Sequence, residues 1–191
     1  MSASPAAVST VENFLRQKMP AYRLATAADY SPVLGAEDRG EAVIQADFNQ
    51  DKMLDYAVLL VNDQDKENRI YYLLGRRSGL ETVLLWAGKW HDQTRPVRNP
   101  VFFKPAGDPG MSERTYNTLT NDSDRPATMS AQERREIHAL KAAPYLAVPA
   151  IEVWTGAGQP SSHADSLSEL AYCSKTWYYQ GGVLKAFEAC D

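Results

Sequence analysis

The stretch Leu54-Asp55-Tyr56-Ala57-Val58-Leu59-Leu60-Val61 reads as one strand, and it decides the fold. From Tyr56 to Val61 every residue is apolar, with no alternation. A strand that is apolar on both faces needs cover on both faces, which makes it the central strand of a sheet packed above and below. The run is also far too short to cross a bilayer, which takes about 20 apolar residues, so no membrane insertion is expected.

Outward from this strand, residues 41–48 read as its predecessor. Residues 69–75 and 80–87 read as a hairpin joined through Arg76-Arg77-Ser78-Gly79, with Tyr71, Leu73, Val83, Leu85 and Trp86 supplying bulk. Residues 97–104 and 145–154 add strands. Ser9 and Glu12 form a capping-box pattern, and Val8, Val11, Phe14 and Leu15 mark one apolar stripe. A short helix is therefore expected over residues 10–18, ended by Pro20, with residues 1–8 as a flexible N-terminus. Ser130 and Glu133 repeat the capping pattern before a charged helix that Pro144 must end. Residues 105–129 and 155–168 shift to Pro, Gly, Ser, Thr, Asn and Asp, which predicts two long surface loops.

The C-terminal segment Cys173 to Cys190 reads as two strand-forming runs around Gly181-Gly182, a pair suited to a two-residue type I′ turn. That turn sets Gln180 opposite Val183, Trp177 opposite Ala186, Lys175 opposite Glu188 and Cys173 opposite Cys190. The cysteine pair then falls at a non-hydrogen-bonded position, where Cα atoms lie about 4.5 Å apart, near the lower limit of disulfide geometry. A bridge closing so short a loop stabilises by roughly 3 kcal/mol and implies an oxidising compartment. The alternative is two unrelated buried thiols.

A chain of 191 residues with 44% hydrophobic content is long enough for a substantial core, and a single domain over 1–191 is expected. The predicted class is α+β: mainly antiparallel sheet, a short N-terminal helix and a disulfide-bridged C-terminal hairpin. A net charge of -4 with scattered Lys and Arg gives no footprint for nucleic acid. The N-terminus carries neither a basic nor a long apolar region, and its small residues fit a chain whose signal peptide has been removed.

Between the two early strands, Asp47, Asn49, Asp51 and Asp55 follow the spacing D-x-N-x-D-x-x-x-D. Calcium takes six to eight oxygens, and these four side chains with the Met53 carbonyl present a candidate set. The competing reading is a polar turn whose aspartates accept backbone N–H groups. The segment from Ala46 to Leu60 resembles the calcium-loop signature of FG-GAP and VCBS-type proteins, with Gln50 and Lys52 where that family places glycines. The resemblance implies a structural calcium ion; it spans about 15 residues and does not extend to the family's repeats. The remainder resembles exported bacterial proteins.

His91, His138 and His163 are scattered, and no G-x-S-x-G, H-E-x-x-H or P-loop pattern occurs. No catalytic residue is assigned. The expectation is a non-catalytic periplasmic or secreted binding protein, an immunity or inhibitor protein against a secreted antibacterial effector. The alternative is a small hydrolase of cell-wall or carbohydrate material with structural calcium, which would need two facing carboxylates in a cleft.

Overall fold

The computed structural model describes residues 3–30, 39–89, 101–107, 146–156 and 172–190, with backbone alone at 155–156, 172–173 and 188–190. In chain order the elements are α1 (Pro5–Lys18), β1 (Arg23–Leu24), β2 (Val43–Ala46), β3 (Asp55–Asn62), β4 (Glu67–Arg76), β5 (Gly79–Lys89), β6 (Val101–Lys104), β7 (Ala150–Gly156), β8 (Tyr172–Gln180) and β9 (Val183–Cys190). They form an α+β fold of two antiparallel sheets and one N-terminal helix.

Strand β3 is the expected central strand, and all of its residues are buried. Its alternate sides serve different layers. Tyr56, Val58 and Leu60 meet Ala7, Val11 and Leu15 of α1, whereas Ala57, Leu59 and Val61 meet Ile151, Val153, Trp177 and Tyr179 of the second sheet. The layers are thus helix, first sheet, second sheet. Burying a Leu or Val side chain in this way stabilises by about 1.5–3 kcal/mol each, so the two-sided strand anchors both interfaces.

In the first sheet β3, β4 and β5 follow as consecutive hairpins, while β1 and β2 share the opposite edge of β3. Strand β2 pairs along Asp55 to Val58, and β1 pairs at Leu60 and Val61. Between Ile70 and Tyr71 the β4–β5 register shifts, leaving Leu85 as an extra residue that bends the edge strand. The second sheet runs β6-β7-β8-β9. Gly40 bridges to Val101, and the Glu41 N–H donates to the Val101 carbonyl at 2.9 Å, tying the lead-in of β2 to β6.

Tyr72 pins the sheets together. Its side chain is fully buried, its hydroxyl donates to the Trp177 carbonyl at 2.8 Å, and its ring lies 4.6 Å from Phe48 and 6.0 Å from Tyr179. Burial pushes its phenol well above the usual tyrosine range.

Four expectations need correction. Strand β7 begins at Ala150, so residues 146–149 lie outside the strand expected over 145–154. The helix starts at Pro5, so the N-terminal residues 5–8 are not flexible, and Ala7 is buried. Ser4 is the cap, its Oγ accepting the Ala7 N–H at 3.2 Å, and Pro5 brings a φ already suited to the first turn. Ser9 and Glu12 lie inside the helix. Strand β2 is shorter than 41–48, because Asp47 and Phe48 leave it for the following turn. Thr155 and Gly156 belong to β7, paired with Cys173 and Tyr172, and not to a loop. Of the loop expected over 105–129, residues 105–107 are described, with the Gly107 N–H donating to the Leu146 carbonyl at 2.8 Å. Residues 108–129, the helix expected before Pro144, residues 157–168 and the three histidines lie outside the described residues.

Strand β1 was not foreseen in the sequence. A bidentate ion pair holds it in place: the Arg23 guanidinium grips Asp29 at 2.6 and 2.7 Å and reaches Asp63 at 2.8 Å. Burial alone would push Asp29 up, but Arg23 together with the N–H and hydroxyl of Thr26 outweighs it and holds the carboxyl at about 2.

Candidate functional site

The turn from β2 into β3 brings Asp47, Asn49, Asp51, Met53 and Asp55 together, and the polar side chains among them are engaged by the chain itself. Asp47 accepts the N–H of Asp51 at 3.1 Å and of Lys52 at 3.0 Å. Asn49 Oδ1 accepts the same Asp51 N–H at 3.0 Å, and Asn49 Nδ2 donates to Asp51 Oδ2 at 3.1 Å. Asp51 Oδ1 accepts the Met53 N–H at 2.9 Å. These are the side-chain-to-backbone bonds by which Asp and Asn build tight turns.

The backbone bends left-handedly at Gln50 (φ 62°) and Lys52 (φ 67°), the two positions where the resembled loop carries glycine. The turn keeps that shape without glycine, at a cost of about 1–2 kcal/mol for each side chain forced into the left-handed region.

Asp55 faces the other way. As the first residue of β3 it shares parity with Ala57, Leu59 and Val61, so its carboxylate points inward, and the residue is 0% exposed. Oδ2 accepts the Phe48 N–H at 2.9 Å and the Asn49 N–H at 3.4 Å, and Oδ1 accepts the Gly75 N–H at 2.7 Å. Gly75 permits this close approach, since a Cβ there would stand 2.5 Å from the Leu54 carbonyl oxygen. Burial pushes the Asp55 carboxyl above its ordinary value, and the three N–H bonds pull it down without fully offsetting that. Asp55 is therefore a buried clasp between turn and β4, with no access to a substrate.

From outside the turn, Arg76 at the end of β4 adds a cation. Its Nη1 lies 2.6 Å from Asp51 Oδ2, and its Nε lies 2.8 Å from Glu81 Oε2 on β5. Calcium takes six to eight oxygens. With Asp55 turned into the core, Asp51 Oδ2 paired to Arg76 and the side-chain oxygens of Asp47 and Asn49 accepting N–H groups, the side chains as arranged do not present that ion with the oxygens it takes. Among the described residues no group of three or more His, Cys, Asp or Glu side chains is disposed to hold a metal ion.

Elsewhere, an open groove of about 390 Å³ lies between the end of α1 and β1, floored by Leu15, Pro20, Tyr22 and Leu24 and edged by Glu12, Arg16 and Arg23. It contains a single carboxylate, so it does not present the facing pair a glycosidase needs. Beside it, Tyr22 donates to Glu67 Oε2, Arg69 Nε pairs with the same oxygen at 2.8 Å, and the guanidinium covers the Tyr22 ring at 5.1 Å. Tyr22 is pushed up to about 12 by burial and by the bond to Glu67.

Strands β8 and β9 pair in the register expected from the Gly181-Gly182 turn, with both glycines at positive φ and Cys173 opposite Cys190. The cysteine side chains lie outside the described residues, and the expected disulfide with them. Sequence reasoning missed Gly75 and Arg76. The parity of Asp55 was a usable signal, since alternation along β3 already turned it toward the core; nothing local in the sequence links Asp51 to a residue 25 positions away. Comparison of the chain with protein-family models, curated proteins and solved structures finds no match.

Proposed function

We propose that this chain is a non-catalytic exported protein that binds another protein, as an immunity or inhibitor protein acting on a secreted antibacterial effector, and that Cys173 and Cys190 are joined. The register of β8 on β9 carries this reading, because it sets the two cysteine backbones directly opposite each other. A cross-strand bridge there belongs to an oxidising compartment such as a periplasm. A doubly packed scaffold that carries long polar segments between its strands is a common means of protein recognition, and residues 108–129 and 157–168 are the places to seek contacts. No helix among the described residues is long and apolar enough to cross a membrane.

The test has two parts. Thiol titration of the unreduced, unfolded chain should find no free thiol. The oxidised protein should then form a stoichiometric complex with a toxin-like product of a neighbouring gene and abolish that product's toxicity. Two free thiols would remove the export argument. Absence of such a complex, together with turnover of cell-wall fragments, would replace binding by hydrolysis.

A further inference from the structure

We infer that the Arg76 guanidinium supplies, from within the chain, the positive centre that a turn of this sequence pattern otherwise takes from a metal ion, so that the turn closes without calcium. On the outward side of the turn Asp47 and Asp51 lie four positions apart, with Asp47 accepting the Asp51 N–H, and like charges so close repel unless a cation stands near them. Arg76 is placed for that task by the sheet. It closes β4 opposite Gly79 at the start of β5, and its planar fork spans two carboxylates, with Nη1 on Asp51 and Nε on Glu81. One guanidinium thus links the β2–β3 turn to the β4–β5 hairpin. Next to it, the Gly75 N–H takes Asp55, so consecutive residues of β4 hold two of the pattern's aspartates, Asp51 by charge and Asp55 by hydrogen bond. A calcium ion would have to displace the guanidinium from Asp51 and pull Asp55 out of the core.

The thermal midpoint of the full chain, measured in EGTA and in millimolar calcium chloride at matched ionic strength, tests this. Wild type should show the same midpoint in both. Arg76→Gln should melt lower in EGTA and recover part of the loss in calcium, because removing the guanidinium leaves Asp51 without its ion pair and frees its outward oxygen, beside Asp47 and Asn49, for weak cation binding that, unlike the full ligand set, does not need Asp55. Arg76→Lys keeps a positive charge at the same place and should stay indifferent to calcium. A wild-type midpoint that climbs with calcium overturns the inference, and so does an Arg76→Gln protein as indifferent to calcium as wild type.

Discussion

Replacing Asp55 by asparagine exchanges one carboxylate oxygen for an amide nitrogen without changing the volume of the side chain, and the three N–H groups around it make the outcome calculable. The amide oxygen can keep the Phe48 and Asn49 bonds, but the amide nitrogen then faces the Gly75 N–H, now 2.7 Å from an acceptor. A buried donor left unsatisfied costs about 1–3 kcal/mol. The two retained bonds lose their charge-assisted character, which costs about 1 kcal/mol more. Relief of a buried charge offsets part of this, so the expected loss is about 2 kcal/mol. Asp55→Ala, which abandons all three donors, should lose about twice as much. Urea denaturation followed by tryptophan fluorescence should show a lower midpoint with an unchanged slope, because the surface exposed on unfolding is the same. The loss should also grow in acid. Burial holds the wild-type carboxyl above its unfolded value of 3.8, so protonation favours the folded state, and wild type gains at this site as the pH falls while the amide does not. An Asp55→Asn protein within about 0.5 kcal/mol of wild type would refute Asp55 as a clasp, since surface-like substitutions fall in that range.

Tyr72→Phe keeps the ring stack but leaves the Trp177 carbonyl without its donor, and should lower unfolding free energy by about 1–2 kcal/mol in the same urea assay. Asp29, held at about 2 against 3.8 when unfolded, contributes stability that is fully present above about pH 4 and is lost as the pH falls to about 2, worth roughly 2 kcal/mol. Asp29→Asn should flatten that part of an acid series of urea midpoints. Lys52→Gly relieves a left-handed side chain at the cost of a more flexible unfolded chain, and should raise stability by up to about 1 kcal/mol, read by calorimetry.

The elements that were legible in the sequence are those whose physics is local. Strand β3 announced itself because an unbroken apolar run has no other economical fate than burial on both faces. The β8–β9 register followed from a two-residue glycine turn, which allows one pairing only. The start of α1 was misread because Ser9 and Glu12 copy a capping pattern that Ser4 and Pro5 in fact supply, five residues earlier. Strand β1, two residues long, has no periodicity to read; Arg23 reaches Asp63 across 40 positions to hold its edge. In the candidate site the spacing of Asp47, Asn49, Asp51 and Asp55 was plain, but their division of labour was not. Whether an aspartate faces outward or into the core depends on where β3 begins, and the neighbours that decide the charge balance, Gly75 and Arg76, arrive only when β4 folds back.

Among the described residues the sheets are also sequential in the chain: every strand of the first is complete by Lys89, and every strand of the second begins at Val101 or later. A chain emerging from a ribosome or a translocation channel therefore finishes the helix and the first sheet, built from short hairpins that form quickly, before the C-terminal half is available. In that interval the inward face of the first sheet, with Leu59, Ile70 and Tyr72, has nothing over it, and Tyr72 waits for a carbonyl 105 residues further on. Such a half-built sandwich is the species most prone to stick to its own copies. Yield of native protein should then depend on the speed at which the C-terminal half follows, and on any chaperone that shelters the open sheet until it does.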